Sequence, residues 1–274
     1  MLKIENAEVM GWEAAIRGMR NPKNSWEKSD TQVGCAGVEC RSCLMKRYCD
    51  TGNEMMPPMV GPNDHTLMMQ LRNAGTDHRK FMRMIAVYVD ITAPLYWWKE
   101  FDTYKVGTVA NSCSTMHKIA DKEFTLDDFS HEHLIRFNGM PNDVIMSRKY
   151  PYVDVTPCHT EDVIYSPLGV LKITIAMLNN CRMKYLTALK TAPETGLSAK
   201  DIWWQMIQLL PSSYNQRRTV MLNYEVLANM YKSRRYHRLD EWHTFCDWIE
   251  GLPYSELITG ANEVKASAES GGKE

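Results

Sequence analysis

The chain has 274 residues, of which 44% are hydrophobic and 24% are charged, and its formal net charge is -1. A chain of this length and composition can bury a large core, as one large domain or two smaller ones. The near-zero net charge gives no reason to expect non-specific binding to nucleic acid or membranes. No apolar run approaches the length of a bilayer span, and the first residues lack the apolar segment of a signal peptide. Because the eight cysteines come without an export signal, they indicate thiols or metal ligands, and the sequence predicts a cytoplasmic protein.

The first thirty residues are predicted to contain a short strand at residues 2–4 and a helix that includes Trp12 and Ile16. Residues 19–26 are polar and rich in turn formers. In a nucleotide-binding fold the arginine and asparagine of this segment could contact a phosphate or a base. A surface turn is the alternative interpretation.

Four cysteines follow within fifteen residues, with the spacing Cys-x4-Cys-x2-Cys-x5-Cys. The two-residue gap lets two thiolates bind one metal ion from a tight turn, and the flanking pair could complete a four-thiolate site. Zinc and a four-iron cluster both fit this spacing. The sequence therefore predicts a metal site, with free thiols as the alternative; its ligands are Cys35, Cys40, Cys43 and Cys49.

A predicted helix capped by Asn63 or Asp64 is expected to end near Gly75, before a basic segment and a buried strand at residues 84–91. The basic segment contains His78, Arg79, Lys80 and Arg83. Such density of cationic groups suits an anionic cofactor, because phosphate groups bind charge-assisted donors. A solvated turn is the alternative.

Residues 94–117 combine an aromatic helix with a polar loop. Pro94 suits a first helical position, and Leu95, Trp98 and Phe101 recur at helical spacing. After Gly107 the chain is dense in hydroxyl and amide side chains, which favour a loop over regular structure. A polar loop next to a rigid helix is a common way to present hydrogen-bond donors to a ligand; a solvated connector is the alternative.

The remaining chain is predicted to be mostly helical. Thr125 is expected to start a helix that runs to about residue 137, before a long connection at about 138–166. Further helices are expected from Ser166-Pro167, from Ser198, over residues 215–231 and over residues 240–250. Residues 259–274 are small and polar and are predicted to form a disordered tail.

The segment from residue 94 resembles the signature region of the flavin-dependent thymidylate synthases. Their pattern is Arg-His-Arg-x-x-Ser-x-Asn-Glu-x-Ser-x-Arg-Tyr after an aromatic helix that begins with proline. With a one-residue insertion, the matching positions here are Thr103, Tyr104, Lys105, Thr108, Asn111, Ser114, Met116 and His117.

Two further segments are similar to the same family. Residues 75–83 resemble Gly-His-x-Ser-Pro-Phe-Glu-His, one residue shorter. Leu210-Pro211, Asn223 and residues 234–237 follow the order of the family's Leu-Pro, Asn-x-Arg and Leu-Arg segments, with Glu225 where Asn-x-Arg has its arginine. The resemblance covers about residues 60–120 and 170–250.

The resemblance implies a mixed α/β (α+β) fold with a sheet flanked by helices and a helix-rich C-terminal half. It implies one domain at residues 1–258, in which the cysteine-rich residues 31–56 are an insertion. Members of the family methylate the uracil of dUMP with a folate one-carbon donor and reduced FAD, so NADPH and folate are implied co-substrates. A homotetramer is also implied, because the family's flavin sites lie between subunits.

By resemblance, His78, Tyr104, Lys105 and Asn223 would face the flavin. Thr108, Asn111, Ser114 and Arg235 would face the nucleotide, and Arg217, Arg218 and Arg234 are phosphate candidates from their charge alone. No nucleophilic side chain is needed, because the flavin carries the difficult chemistry.

Two of the three charges of the Arg-His-Arg position are missing, and each charge-assisted hydrogen bond contributes about 1.5–3 kcal/mol. A changed pyrimidine nucleotide or one-carbon donor is therefore one prediction. The alternatives are a protein of the same fold that binds a nucleotide without catalysis, and one whose cysteines hold a zinc ion or iron–sulfur cluster.

Overall fold

The structure is a computed structural model, and it describes residues 2–32, 57–134, 166–191 and 196–260. The chain divides into two compact units. We call them the sheet unit, which comprises Leu2–Thr92, Trp97–Ser112 and Arg217–Glu274, and the helical unit, which comprises Ala93–Tyr96 and Cys113–Gln216. None of the helices in the described ranges has the length and apolar character that a membrane span requires.

A four-stranded sheet has the order β1-β2-β4-β3. Strands β1 and β2 pair antiparallel, with Glu5 opposite Asp90 and a bulge between Glu5 and Glu8. Strands β3 and β4 also pair antiparallel, with Asn111 opposite Thr219. The strands are β1 (Lys3–Met10), β2 (Ala86–Pro94), β3 (Val109–Ser112) and β4 (Asn215–Asn223).

The helices of the sheet unit are α1 (Trp12–Arg20), α2 (Pro62–Asn73), α3 (Leu95–Phe101, shared with the helical unit), α7 (Tyr224–Arg234), α8 (Asp240–Glu250) and α9 (Glu256–Thr259). The helical unit contains α4 (Thr115–Lys118), α5 (Pro167–Ala188) and α6 (Ala199–Leu209). The antiparallel sheet together with these helices confirms the predicted α/β fold class.

Most of the predicted elements are confirmed. The helices that begin after Ser166 and Ser198 have the expected caps, because each serine Oγ accepts a backbone N–H three residues later. Helix α8 has the predicted bounds. The cap predicted for α2 is wrong: Gly61 is the N-cap, and Asp64 is buried inside the helix.

The predicted helix over residues 215–231 is wrong in its first half, which is strand β4. The true helix begins only after Asn223, whose side-chain oxygen accepts a hydrogen bond from the Val226 N–H at 3.0 Å. The predicted loop after Gly107 likewise contains strand β3, because this polar, exposed edge strand pairs with β4.

The predicted helix from Thr125 is also wrong. Its capping box forms with Asp128, but only a single 3-10 turn follows, at Leu126–Asp128. Phe129 then pairs with Tyr214 as an isolated antiparallel bridge, and the Ser130 N–H donates to the Ser213 carbonyl at 2.8 Å. Tertiary hydrogen bonding therefore overrides a correct local helix signal.

Each unit has its own core. In the sheet unit, Trp97 is fully buried, and its ring centroid lies 5.0 Å from that of Trp98, 4.8 Å from that of Trp242 and 5.6 Å from that of Phe245. These edge-to-face and tilted contacts fix α3 against α8. The helical unit has a separate cluster of buried residues: Ile119, Ala120, Phe124, Phe129, Leu171, Leu178 and Met206.

A buried ion pair fixes the chain after α1. Asp64 is fully buried and accepts a hydrogen bond from Arg20 Nε at 2.7 Å. Its other oxygen accepts from Ser29 Oγ (2.7 Å), from Thr31 Oγ1 (2.6 Å) and from the N–H groups of Asp30 and Thr31. Burial alone would raise the pKa of Asp64, but hydrogen bonds from Thr31, Ser29 and Arg20 outweigh it and lower the pKa.

The residues directly before and after segment 33–56 lie next to each other. Gln32 and Met59 exchange two backbone hydrogen bonds, of 3.0 and 2.9 Å. The Tyr254 hydroxyl accepts from the Val60 N–H at 2.9 Å and donates to the Pro58 carbonyl at 2.8 Å. We call this arrangement the junction.

The carboxylate of Asp90 on β2 gives a test at acidic pH. Hydrogen bonds from Thr219, Asn6 and Arg217 lower its pKa to about 2. A carboxyl group with a depressed folded-state pKa stabilises the fold above its unfolded pKa, and this contribution is lost as the pH falls from about 4 to about 2. We expect Asp90→Asn to be less stable than the wild type at pH 6 and to show a smaller loss of stability over that pH range. Urea denaturation at both pH values measures this, and equal pH dependence in the two proteins would contradict it.

Candidate functional site

A cleft of about 950 Å³ lies in the sheet unit, along one face of α7 and beside the ends of α2 and α9. We call it the basic cleft. Its volume lies within the range of small-molecule sites, which is about 300–1,000 Å³. The residues that line it are Arg72, Asn73, Gly75, Thr76, Arg79, Ala228, Asn229, Tyr231, Lys232, Arg235, Tyr236, Glu250, Ser255, Ile258 and Thr259.

Four of these residues are cationic and only Glu250 is acidic. Arg72 is anchored by hydrogen bonds from Nε to the Leu257 carbonyl (3.1 Å) and from Nη2 to the Ile258 carbonyl (3.4 Å). Lys232 is exposed, and in the described part of the chain no ion pair is seen for it. The cleft therefore has a net positive lining, which suits an anionic ligand.

Arg235 is held at one wall by two carboxylates, Asp247 at 2.5 Å and Glu250 at 3.3 Å. The hydrogen bond with Asp247 raises the pKa of Arg235. Glu250 also accepts a hydrogen bond from the Tyr231 hydroxyl at 2.7 Å. Burial and this hydrogen bond raise the pKa of Tyr231 to about 12, so the phenol stays protonated at neutral pH.

Two arginines of the basic segment share one carboxylate, and one of the two, Arg79, lines the cleft. Glu225, in the first turn of α7, is buried at 6% exposure. Arg83 donates to both of its oxygens, through Nε and through Nη2 at 3.2 Å. Arg79 Nε lies 3.5 Å from the same carboxylate, and Arg79 Nη2 donates to Asn229 Oδ1 at 3.4 Å. The hydrogen bond with Glu225 raises the pKa of Arg83.

A second polar cluster connects α3 with the end of α7 and with α8. One oxygen of Glu100 accepts from Arg234 Nη1 at 2.7 Å and from Trp242 Nε1 at 2.9 Å, and lies 3.3 Å from His237 Nε2. Arg234 also donates to the Tyr104 hydroxyl at 3.0 Å, and its guanidinium lies 4.9 Å from the Trp242 ring. This cluster positions Tyr104 and Arg234, but neither residue lines the basic cleft.

No protein-family model matches the sequence, and no curated protein matches it. Solved structures do resemble it. Thymidylate synthase X from Helicobacter pylori, solved with FAD and dUMP, has a TM-score of 0.53 at 13% identity, over 95% of this chain and 98% of that one. A second structure of that enzyme with FAD and dUMP has a TM-score of 0.52 at 12% identity, over 94% and 98% of the two chains. The chain has the fold of the flavin-dependent thymidylate synthases.

A UMP/dUMP methylase from Streptomyces cacaoi, bound to 5-Br dUMP, is also similar, with a TM-score of 0.49 at 15% identity over 95% of each chain. The likeness to the flavin-dependent thymidylate synthases confirms at the level of the fold the resemblance seen in the sequence.

Of the residues that the thymidylate synthase resemblance assigned to ligands, Arg235 lines the basic cleft. His78 is exposed and comes directly before Arg79, which also lines the basic cleft. Asn223 is buried and caps α7, and its Nδ2 donates to the Gly107 carbonyl at 3.3 Å. A Cβ at position 107 would lie 2.5 Å from that nitrogen, and φ there is +77°, so both packing and backbone require glycine.

The other signature positions lie along the chain after α3. Thr108 Oγ1 donates to the Tyr104 carbonyl at 2.6 Å, Lys105 is exposed, and Asn111 is exposed on β3. Ser114 is in the helical unit, where its Oγ caps α4 by accepting the His117 N–H.

Two of the arginines that were predicted to bind phosphate lie on β4 and not on a helix, and each forms an ion pair at 2.8 Å. Arg217 pairs with Asp90, and Arg218 pairs with Asp102 while its guanidinium lies 4.2 Å from the Trp98 ring. The structure does not bring these two arginines to the basic cleft.

Sequence reasoning missed Arg72, Asn229, Lys232 and Tyr236 as lining residues of the cleft. Asn229 and Lys232 are three positions apart on α7, which places them on one helical face, and Tyr236 follows in the turn after the helix. This pattern becomes visible once Asn223 is recognised as the helix cap.

The predicted metal site at Cys35, Cys40, Cys43 and Cys49 lies outside the described residues. Within the described residues, no group of three or more histidine, cysteine or acidic side chains could hold a metal ion. The loop predicted at about 138–166 lies almost wholly outside the described ranges, as do residues 261–274 of the predicted tail.

Proposed function

We propose that the chain is a flavin-dependent enzyme that transfers a one-carbon group to a pyrimidine nucleotide similar to dUMP. The fold supports this proposal, because the thymidylate synthases that share it were solved with FAD and dUMP. The observation that carries it is the basic cleft, which combines a ligand-sized volume with four cationic side chains.

The donors of the cleft fit FAD. Its pyrophosphate is anionic, and guanidinium groups are suited to binding phosphate oxygens. Tyr236 is 95% exposed, and its ring can stack on an aromatic ring system. When bound, the flavin would supply the hydride chemistry of the reaction. The residues of the chain would bind and orient the phosphates, while Ala228 and Ile258 provide apolar surface that excludes water.

The residue assignments that come from the resemblance belong to the same proposal. By resemblance, His78, Tyr104, Lys105 and Asn223 would face the flavin, and Thr108, Asn111 and Ser114 would face the nucleotide. The resemblance gives Arg235 to the nucleotide as well, but its place in the basic cleft makes it a candidate for the flavin phosphates. We also propose folate and NADPH as co-substrates and a homotetramer, all from the same resemblance. A cytoplasmic location is a further proposal. The zinc or iron–sulfur site at the four cysteines is proposed from their spacing.

The first test is titration of the purified protein with FAD, monitored by flavin fluorescence, with metal analysis of the same sample. We expect binding, and we expect the double variant Lys232→Glu, Arg235→Glu to bind at least about tenfold more weakly, because two charge-assisted contacts are removed and repulsion is added. Lys190→Glu, an exposed lysine of the helical unit, is the matched control and should bind as the wild type does.

A protein that contains no flavin and takes up no added FAD would contradict the enzyme proposal. In that case dUMP binding, measured by calorimetry, would distinguish a nucleotide-binding protein without catalysis. Zinc, or iron with labile sulfide, in the sample would support the metal site at the cysteines.

A further inference from the structure

The wall of the basic cleft that contains Arg79 carries an excess positive charge. Glu225 is the buried carboxylate of this wall, and two guanidinium groups, those of Arg79 and Arg83, approach it. Within ion-pair distance, one carboxylate faces two guanidinium groups, so one positive charge is left over. Asp77 also acts electrostatically on Arg83, but among the described residues it forms no ion pair with it.

The two arginines differ in their contact with Glu225. Arg83 forms the bidentate pair with both carboxylate oxygens. Arg79 Nε is buried and has no hydrogen-bond partner among the described residues, although it lies 3.5 Å from the carboxylate. The Glu225 carboxylate therefore accepts its hydrogen bonds from Arg83, and its contact with Arg79 is an ion pair without a hydrogen bond.

The two arginines also differ in location. Arg79 lines the cleft, whereas Arg83 does not, and 55% of the Arg83 side chain is exposed. In the family pattern that this chain resembles, position 225 is an arginine. Here the charge at that position is inverted, and the cation at this wall comes from the basic segment before β2.

We propose that Arg79 binds a phosphate group of the ligand, and that Arg83 keeps Arg79 available for it by occupying Glu225. Arg83 is thus a positioning residue that acts on the cleft without lining it. The inference rests on the proposed function in that it concerns the same cleft, but it requires only that the ligand carry a phosphate or pyrophosphate group.

This arrangement predicts a specific order of affinities. In Arg83→Gln, Glu225 is free to pair with Arg79, so the net charge of the group falls and phosphate binding weakens about tenfold. Adding Glu225→Gln to that variant restores the wild-type net charge, and we expect affinity within about threefold of the wild type. If the Arg83–Glu225 pair is merely structural, Glu225→Gln alone breaks the same pair and weakens binding as Arg83→Gln does. The proposal instead predicts that Glu225→Gln binds phosphate at least as tightly as the wild type, because Arg79 keeps its full charge.

The experiment is calorimetric titration with two probes, inorganic pyrophosphate and FAD. The proteins are the wild type, the single variants Arg83→Gln, Glu225→Gln and Arg79→Gln, and two double variants in which Glu225→Gln is combined with Arg83→Gln or with Arg79→Gln. Thermal unfolding of each variant establishes that it is folded. Arg79→Gln should weaken pyrophosphate binding at least about tenfold, and Glu225→Gln should not rescue it.

The two probes separate the two proposals. If pyrophosphate binding follows the expected order while FAD does not bind, the inference holds and the flavin function is wrong. If the wild type does not bind pyrophosphate, or if Arg83→Gln binds it as tightly as the wild type does, the inference is overturned.

Discussion

Replacing Asp64 by asparagine is expected to lower the free energy of unfolding by about 3–5 kcal/mol. The substitution removes the charge that Arg20 needs, and Arg20 itself is buried at 4% exposure. It also replaces one acceptor oxygen by a donor, so that N–H and hydroxyl donors at Ser29, Asp30 or Thr31 lose their partner.

Urea denaturation at neutral pH measures this loss. Glu27→Gln is the control, because Glu27 is exposed on the same segment, and it should change stability by less than about 0.5 kcal/mol. Arg20→Ala should be as destabilising as Asp64→Asn, and the double variant should cost less than the sum of the two, since both remove one interaction. Additive losses would mean that the two side chains stabilise the fold independently.

Glu100→Ala is expected to cost about 3 kcal/mol, the second largest effect. One carboxylate oxygen serves Arg234 and the indole N–H of Trp242, whose side chain is fully buried. Without it, the indole N–H loses its acceptor, and the largely buried guanidinium of Arg234 loses its counter-charge while it keeps its hydrogen bond to the Tyr104 hydroxyl. Glu100→Gln keeps an acceptor and should lose only about half as much.

Asp102→Ala is the matched control. Asp102 lies at the end of the same helix and forms an ion pair with Arg218, but 50% of the Asp102 side chain is exposed. Exposed pairs contribute about 0–1 kcal/mol, so the control should be close to neutral. Guanidinium chloride unfolding followed by tryptophan fluorescence measures all three variants. Equal losses for Glu100→Ala and Asp102→Ala would contradict the role assigned to the Glu100 cluster.

The sequence predicted elements well where the signal is local. Ser166-Pro167 and Ser198 with Asp201 cap α5 and α6 in the expected way, because caps are made by residues a few positions apart. It failed where distant partners decide. Thr125 caps only one turn because Phe129 bonds to Tyr214, and residues 109–112 become a strand only because β4 lies alongside them.

The same distinction applies to the candidate site. The basic segment at residues 78–83 was visible as a cluster of charge along the chain. Its connection with Glu225 and Asn229 was not, because these residues are about 140 positions away. Charge alone also could not distinguish Arg235, which lines the cleft, from Arg217 and Arg218, whose ion pairs lie on the sheet.

The junction at Gln32 and Met59 has a consequence for engineering. Its two backbone hydrogen bonds and the Tyr254 hydroxyl hold the residues before and after segment 33–56 together, and all of these contacts are made by residues outside that segment. The entropy of closing a segment between fixed ends grows slowly, by about 0.6 kcal/mol for each doubling of its length. The junction is therefore a suitable place to replace residues 33–56 by a reporter domain whose termini are adjacent. We expect the contacts of the sheet unit around the junction to be retained.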